Sequence, residues 1–395
     1  MGESLITRRA GAGGEATITF ENYSHATNLT HISASDLSLA RKNLAGASVG
    51  GYALFAGGDR SGSSSTVDAY NTSLTRSTPT VLSTARFDLA GASVGEYALF
   101  AGGYSGYSGG YYSTVDAYNT SLTRSTPTVL SEARRNLAGA SVGEYALFAG
   151  GSGSGYPSTV DAYNTSLTRS TSTILSEARF DLAGASVGEY ALFAGGYGGS
   201  GYSSTVDAYN TSLTRSTPTV LSEARRNLAG ASVGGYALFA GGYSGSYYST
   251  VDAYNTSLTR STPTVLSQAR SYLAGASVGV CALFAGGFGG SGYPSTVDAY
   301  NTSLTRSTST VLSQARSYLA GASVGEYALF AGGFDGSTSS TVDAYCDNLE
   351  LSLFPNTKYK LNDMPSEQTS TSFQTLSIPK PVNGYMKIQN ATLQN

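Results

Sequence analysis

The chain has 395 residues with 49 Gly, 29 Tyr, 2 Cys and no Trp, a net charge of −3 and only 12% charged residues. A hydrophobic content of 40% with 11% aromatics is too apolar for intrinsic disorder. Glycine lacks the three-residue period of collagen, two cysteines cannot staple a disulfide scaffold, and a weakly acidic chain offers no basic face to nucleic acid.

In chain order, residues 1–27 come first as a non-repeated segment. Met1 to Gly14 carries Arg8 and Arg9 and no apolar stretch, so no signal peptide is expected. Ile6 stands where a myristoylation signal needs Ser or Thr. No stretch is long and apolar enough to predict a membrane span, and no membrane insertion is expected.

From residue 28 to 345 the chain is a tandem array. LAGASVG begins at Leu44, Leu89, Leu137, Leu182, Leu228, Leu273 and Leu319, at intervals of 45, 48, 45, 46, 45 and 46 residues. Self-similarity at this period signals stacked or ring-shaped repeats rather than several domains. Each repeat offers four strand-like pieces: LAGASVG, YALFAGG, STVDAY and TPTVLSEAR or a variant, as at Thr126 to Arg134. They are short and rich in Val, Tyr, Phe, Thr and Leu, without an apolar 3.6 period, so an all-β fold is expected. The small side chains of LAGASVG suit a crowded inner edge, and the two-faced apolarity of ALFA suits a strand buried between sheets.

A Gly-Gly pair ending an apolar strand, a Tyr twelve residues on (Gly58 to Tyr70) and an Arg leading into the next repeat resemble the kelch pattern in all seven units. That resemblance implies a β-propeller with one four-stranded blade per repeat. Kelch repeats usually carry a Trp after the Tyr. This chain has none, and Leu74, Leu122, Leu167, Leu213, Leu258 and Leu304 are candidates for that volume.

Residues 28–43 align with 121–136, which supplies an extra fourth strand ahead of the first repeat. A seven-bladed ring closed by this N-terminal strand is the expectation, since closure removes aggregation-prone edges. An eight-bladed ring is the alternative, using residues 15–43 and the weak echo VNGYMKI at 382–388. Residues 346–395 hold four of the five Lys and read as a docking or capping tail that could carry an assembly partner.

Strand parity puts two connections on one face: the Gly-Gly loops and the linkers that precede LAGASVG. Both vary between repeats. The loops run DRSGSS, YSGYSGGYY, SGSGYP, YGGSGYS, YSGSYY, FGGSGYP and FDGSTS. The connections of the other face are nearly constant, with Asn-Thr-Ser six times. These triplets match glycosylation acceptors, but tight turns are the favoured reading. The variable face concentrates Tyr104, Tyr107, Tyr111, Tyr112, Tyr156, Tyr197, Tyr202, Tyr243, Tyr247, Tyr248 and Tyr293, with Phe288, Phe334, Tyr272 and Tyr318. Tyr, Ser and Gly loops are the vocabulary of antibody paratopes. They point to a ligand-binding face for a glycan or a protein surface.

Other chemistry is thinly supplied. One Asp per VDAY is expected to be a structural acceptor for the Ala-Arg Arg of a neighbouring strand, not a catalyst. The only His residues, His25 and His31, lie in the N-terminal part, so no metal site and no cofactor is expected. The copper oxidases that share the propeller fold need several His ligands, and the sialidase Asp box ends in Trp; neither is present. Cys281 and Cys346 are expected in adjacent blades, as thiols or as a disulfide. The function expected is non-enzymatic recognition, with a resemblance to bacteriophage tail or host-attachment proteins that implies a virion or extracellular surface. A scaffold docking through its tail and a carbohydrate-active enzyme are the alternatives.

Overall fold

A computed structural model describes residues 5–10, 16–21, 27–106, 110–352 and 375–377, and these form strands, bridges and turns with no helix among them. The chain divides into two compact units: residues 30–347, and residues 1–29 with 348–395. In the latter, Leu5–Ala10 pairs antiparallel with Ala16–Glu21, and Glu350, Leu351 and Ser352 pair with Thr375–Ser377.

In the larger unit each repeat makes one antiparallel sheet. In the second repeat Ala90–Val94 pairs with Tyr97–Ala101, that strand with Val115–Asn119, and that with Arg124–Ser125. Six repeats share this four-strand order. In the seventh, Ala320–Val324, Tyr327–Ala331 and Val342–Ser352 are followed in the sheet by Thr27–Ser33 from the start of the chain. The architecture is propeller-like: repeated four-stranded antiparallel sheets with their most buried strands in the middle and a short, exposed outer strand.

The burial pattern explains the composition. AGASV alternates buried and half-buried positions, whereas YALFA is buried on both faces after its first residue. A strand with sheets on both sides needs apolar residues at every position. The cores lie between sheets. Leu99, Ala101 and Val115 of one repeat meet Ala146, Phe148 and Tyr163 of the next. Leu329, Ala331 and Val342 of the seventh repeat meet Ala53, Phe55 and Tyr70 of the first in the same way. The inner strands come close enough that a Cβ on Gly139 would lie 2.2 Å from the Gly91 carbonyl oxygen. Glycine is required there, and it allows the Ser141 hydroxyl to donate to the Ser93 carbonyl at 2.6 Å. The series of Ser contacts returns on itself, Ser48 donating to the Ser323 carbonyl at 2.6 Å.

Each Ala-Arg Arg ties polar groups of two neighbouring repeats together. The Arg134 carbonyl accepts from Gly103 N at 2.8 Å, while its guanidinium meets Asp161 at 2.8 Å. Arg41, from the segment ahead of the first repeat, accepts from Gly333 N at 2.9 Å and reaches Asp68 at 2.8 Å. The VDAY aspartates are therefore structural acceptors, as the sequence suggested. Each also has an outer cation, such as Arg169 at 2.7 Å from Asp161. In the seventh repeat that outer cation position belongs to His31, 2.6 Å from Asp343.

One expectation needs correction. TPTVLSEAR was read as the fourth strand, but in four repeats the outer strand is only the two residues before it, as at Arg124–Ser125. Proline supplies no N–H to the ladder. Where Ser172 replaces it, its N–H donates to the Val160 carbonyl at 3.1 Å and the strand extends over Arg169–Thr171. Where Ser309 replaces it, the strand runs over Arg306–Val311.

On the constant side, the Asn of Asn-Thr-Ser closes an Asx turn: Asn119 Oδ1 accepts from Ser121 N and Thr123 N at 3.0 and 2.9 Å. Leu122 follows in the left-handed region at φ 59° and is half-buried against the neighbouring core, as are its equivalents. Cys281 is buried, and half-buried Cys346 lies 3.9 Å from the Thr30 carbonyl oxygen.

Candidate functional site

The two variable connections meet. Each linker makes antiparallel bridges to the Gly-Gly loop of the following repeat: Phe87 with Tyr104, Arg135 with Ser152, Phe180 with Tyr197, Arg226 with Tyr243, Ser271 with Phe288 and Ser317 with Phe334. Backbone pairing thus holds the loop aromatics beside linker side chains.

From the third repeat onward the rings form a continuous series. Tyr156 stacks on Phe180 at 5.0 Å, and Phe180 meets Tyr197 edge-on at 5.8 Å. Tyr197 touches Tyr202, Tyr202 touches Tyr243, and Tyr243 touches Tyr247, at 5.1, 6.2 and 5.2 Å. Tyr247 then meets Phe288, Phe288 meets Tyr293, and Tyr293 meets Phe334, at 5.7, 5.1 and 6.2 Å. Lys42 closes the arc with its ammonium 4.2 Å from the Phe334 ring. A second, smaller group joins Phe87, Tyr104 and Tyr111. Ser152 and Asp59 occupy the aromatic position in repeats three and one, which is why the arc has ends. Most of these rings are half-buried, and Tyr156 is 46% exposed. Edge-to-face packing stiffens them while leaving part of each ring in water.

Not every expected residue belongs to this arc. Tyr107 lies outside the described residues. Tyr112 and Tyr248 sit at the anchored ends of their loops, where their backbone N–H groups donate to the Gly103 and Gly242 carbonyls. Tyr272 and Tyr318 are elsewhere on the same variable connections, at a mouth lined by the linkers of all seven repeats.

That mouth was not singled out from sequence. Asn43, Asp88, Asn136, Asp181, Asn227, Tyr272 and Tyr318 line it above a floor of the seven LAGASVG leucines, around a space of about 220 Å³. Each donates its backbone N–H to the carbonyl of the preceding member, at 2.9–3.1 Å, and Asn43 donates to Tyr318. All seven have φ between 53° and 55°. Asn and Asp tolerate this left-handed conformation, whereas a Tyr there costs about 1 kcal/mol. The signal that could have revealed the ring is the alternation Asn, Asp, Asn, Asp, Asn, Tyr, Tyr immediately before LAGASVG.

Burial pushes the Asp88 carboxyl up to about 6 and Asp181 up to about 7, although Arg135 and Arg226 pull them down. Those cations stand 3.5 and 3.6 Å away and also cover rings: Arg135 lies 4.6 Å from Tyr104, and Arg226 lies 5.2 Å from Tyr197. Tyr272 and Tyr318 lie 4.3 Å apart with their hydroxyls hydrogen-bonded, and burial raises both pKa values. The Nδ2 of Asn227 is buried without a hydrogen-bond partner. No group of three or more His, Cys, Asp or Glu able to hold a metal ion occurs among the described residues.

No family model matches the chain, and no curated protein matches it. The solved structure of YjhT is similar, with a TM-score of 0.53 at 12% identity, covering 78% of this chain and 95% of that one. At that identity the likeness is one of fold alone.

Proposed function

We propose that the chain is a kelch-like propeller of seven blades, closed by its N-terminal strand, and that it recognises a glycan chain without turning it over. The closure reading rests on the contacts that return from the seventh repeat to the first: the Ser48–Ser323 hydrogen bond, the Arg41 bridge and the shared core. The recognition reading rests on one observation, the arc of rings from Tyr156 to Phe334. Successive sugar rings offer C–H faces to partly exposed aromatics, and tyrosine hydroxyls suit their hydroxyl groups. An adhesin on a virion or cell surface is the setting that such a face fits. A non-catalytic role suits the aspartates, because all seven in VDAY are engaged by cations in the interior.

The test is a polysaccharide and glycan array probed with wild type and with Tyr202→Ser/Tyr247→Ser. Binding should weaken at least about tenfold in the variant, roughly 1.4 kcal/mol, with an unchanged circular dichroism spectrum. Unchanged binding refutes the arc as the contact surface. Binding only to a protein partner, lost in the same variant, would replace the glycan by a protein surface.

A further inference from the structure

The mouth and the aromatic arc share a face but differ in chemistry. The arc is a series of mostly edge-to-face rings suited to length. The mouth is a concave space of about 220 Å³, with an apolar floor of leucines and a polar wall. Its lining is more polar than apolar, with the seven leucines lying among convergent polar groups, a mixture that suits a polyhydroxylated guest.

Three observations make it more than the end of a barrel. First, the backbone groups of the wall are consumed by their own ring of hydrogen bonds, which holds the seven side chains around one space, Asp88 and Asp181 each sharing a carboxylate oxygen with an Arg. Second, the Nδ2 donor of Asn227 is buried with no partner, a state that an incoming acceptor would relieve. Third, Tyr272 and Tyr318 hold left-handed backbone conformations that Asn or Asp fills in the other five repeats. Strain tolerated at two adjacent positions implies that their rings are needed there.

We infer that the mouth seats a single uncharged sugar unit, its C–H face against the Tyr272–Tyr318 pair and the leucine floor, its hydroxyls on Asp88, Asn136, Asp181 and Asn227. Carboxylates and carboxamides side by side supply acceptors and donors for adjacent hydroxyls. An anionic sugar is disfavoured. The two carboxyl groups line the space, while their counter-ions Arg135 and Arg226 lie against the rings of Tyr104 and Tyr197. This inference deepens the glycan reading: the arc would hold a chain whose end enters the mouth.

The experiment is saturation-transfer NMR on the full chain with the methyl glycosides of glucose, galactose and mannose, with N-acetylglucosamine, and with glucuronic acid as the charged control. Wild type, Tyr272→Asn/Tyr318→Asn and Tyr202→Ser/Tyr247→Ser are compared. Wild type should show transfer from at least one neutral sugar and less from glucuronic acid. The Tyr272→Asn/Tyr318→Asn variant should lose that signal yet melt at or above the wild-type temperature, because Asn suits the left-handed backbone. The arc variant should keep it. No transfer from any neutral sugar, preference for glucuronic acid, retention of the signal in the mouth variant, or its loss in the arc variant overturns the inference. Polysaccharide binding that survives the arc variant would defeat the arc reading instead and leave the mouth standing.

Discussion

Replacing Arg134 by Met tests the load carried between repeats. Arg134 and Asp161 are both fully buried, with Nη2 2.8 Å from the carboxylate and 3.1 Å from the Phe148 carbonyl oxygen. Methionine replaces the aliphatic stem but leaves the carboxylate without its inner cation. Removing one member of a buried pair costs about 3–5 kcal/mol. Here Arg169 at 2.7 Å and the Ser131 hydroxyl and N–H remain on Asp161, which places the loss near the lower end, about 3 kcal/mol. The hydrogen bond between Gly103 N and the Arg134 carbonyl is made by backbone and persists. Urea unfolding followed by circular dichroism reads the loss, with a constant slope as the check on cooperativity. Asp161→Asn and the double variant complete a cycle, in which the double should lose less than the sum of the singles by about 1 kcal/mol or more. A loss under about 1 kcal/mol for Arg134→Met, or strictly additive singles, would refute the view that this pair couples neighbouring repeats.

Two further outcomes are expected. His31→Ala should lose about 1–2 kcal/mol by thermal unfolding, since it removes the 2.6 Å contact with Asp343 and the 5.3 Å ring contact with Tyr345; His31→Arg should match wild type, because Arg holds the equivalent position in six repeats, and an inert His31→Ala would break the analogy. At the mouth, Asp88 and Asp181 have folded-state pKa values raised above the unfolded value. Their contribution to stability is present below about pH 4 and is lost as pH rises through 6 and 7. Asp88→Asn/Asp181→Asn should flatten that decline and stabilise the protein at pH 8 by about 2 kcal/mol. An unchanged pH profile of unfolding would show that burial is not what governs these carboxyls.

Much of the architecture was legible because the chain states it repeatedly. The repeated Gly, Ser and Val of LAGASVG already imply an inner strand crowded by its neighbours, and Gly139 shows the reason: a Cβ there would strike the next strand's backbone. Strand parity brought the linkers and Gly-Gly loops to one face, and their bridges bear that out. The VDAY aspartates were read as acceptors for Arg, and they are. The fourth strand was misplaced because Thr, Val and Leu promise a strand, while one proline denies the ladder its donor. Tyr112 and Tyr248 look identical to the arc tyrosines in sequence, yet loop anchoring separates them.

Composition and period by themselves determined an all-β repeat protein with an apolar, nearly charge-free body and a Tyr-rich variable face. Those features are local, so spacing and side-chain type reveal them. Only the tertiary structure decided which rings touch and that residues 45 to 48 apart converge at one mouth. It also showed that His31 contacts Asp343 as the outer arginines contact the other VDAY aspartates. These depend on how neighbouring sheets pack, and which side chains meet across repeats is not written in any one repeat.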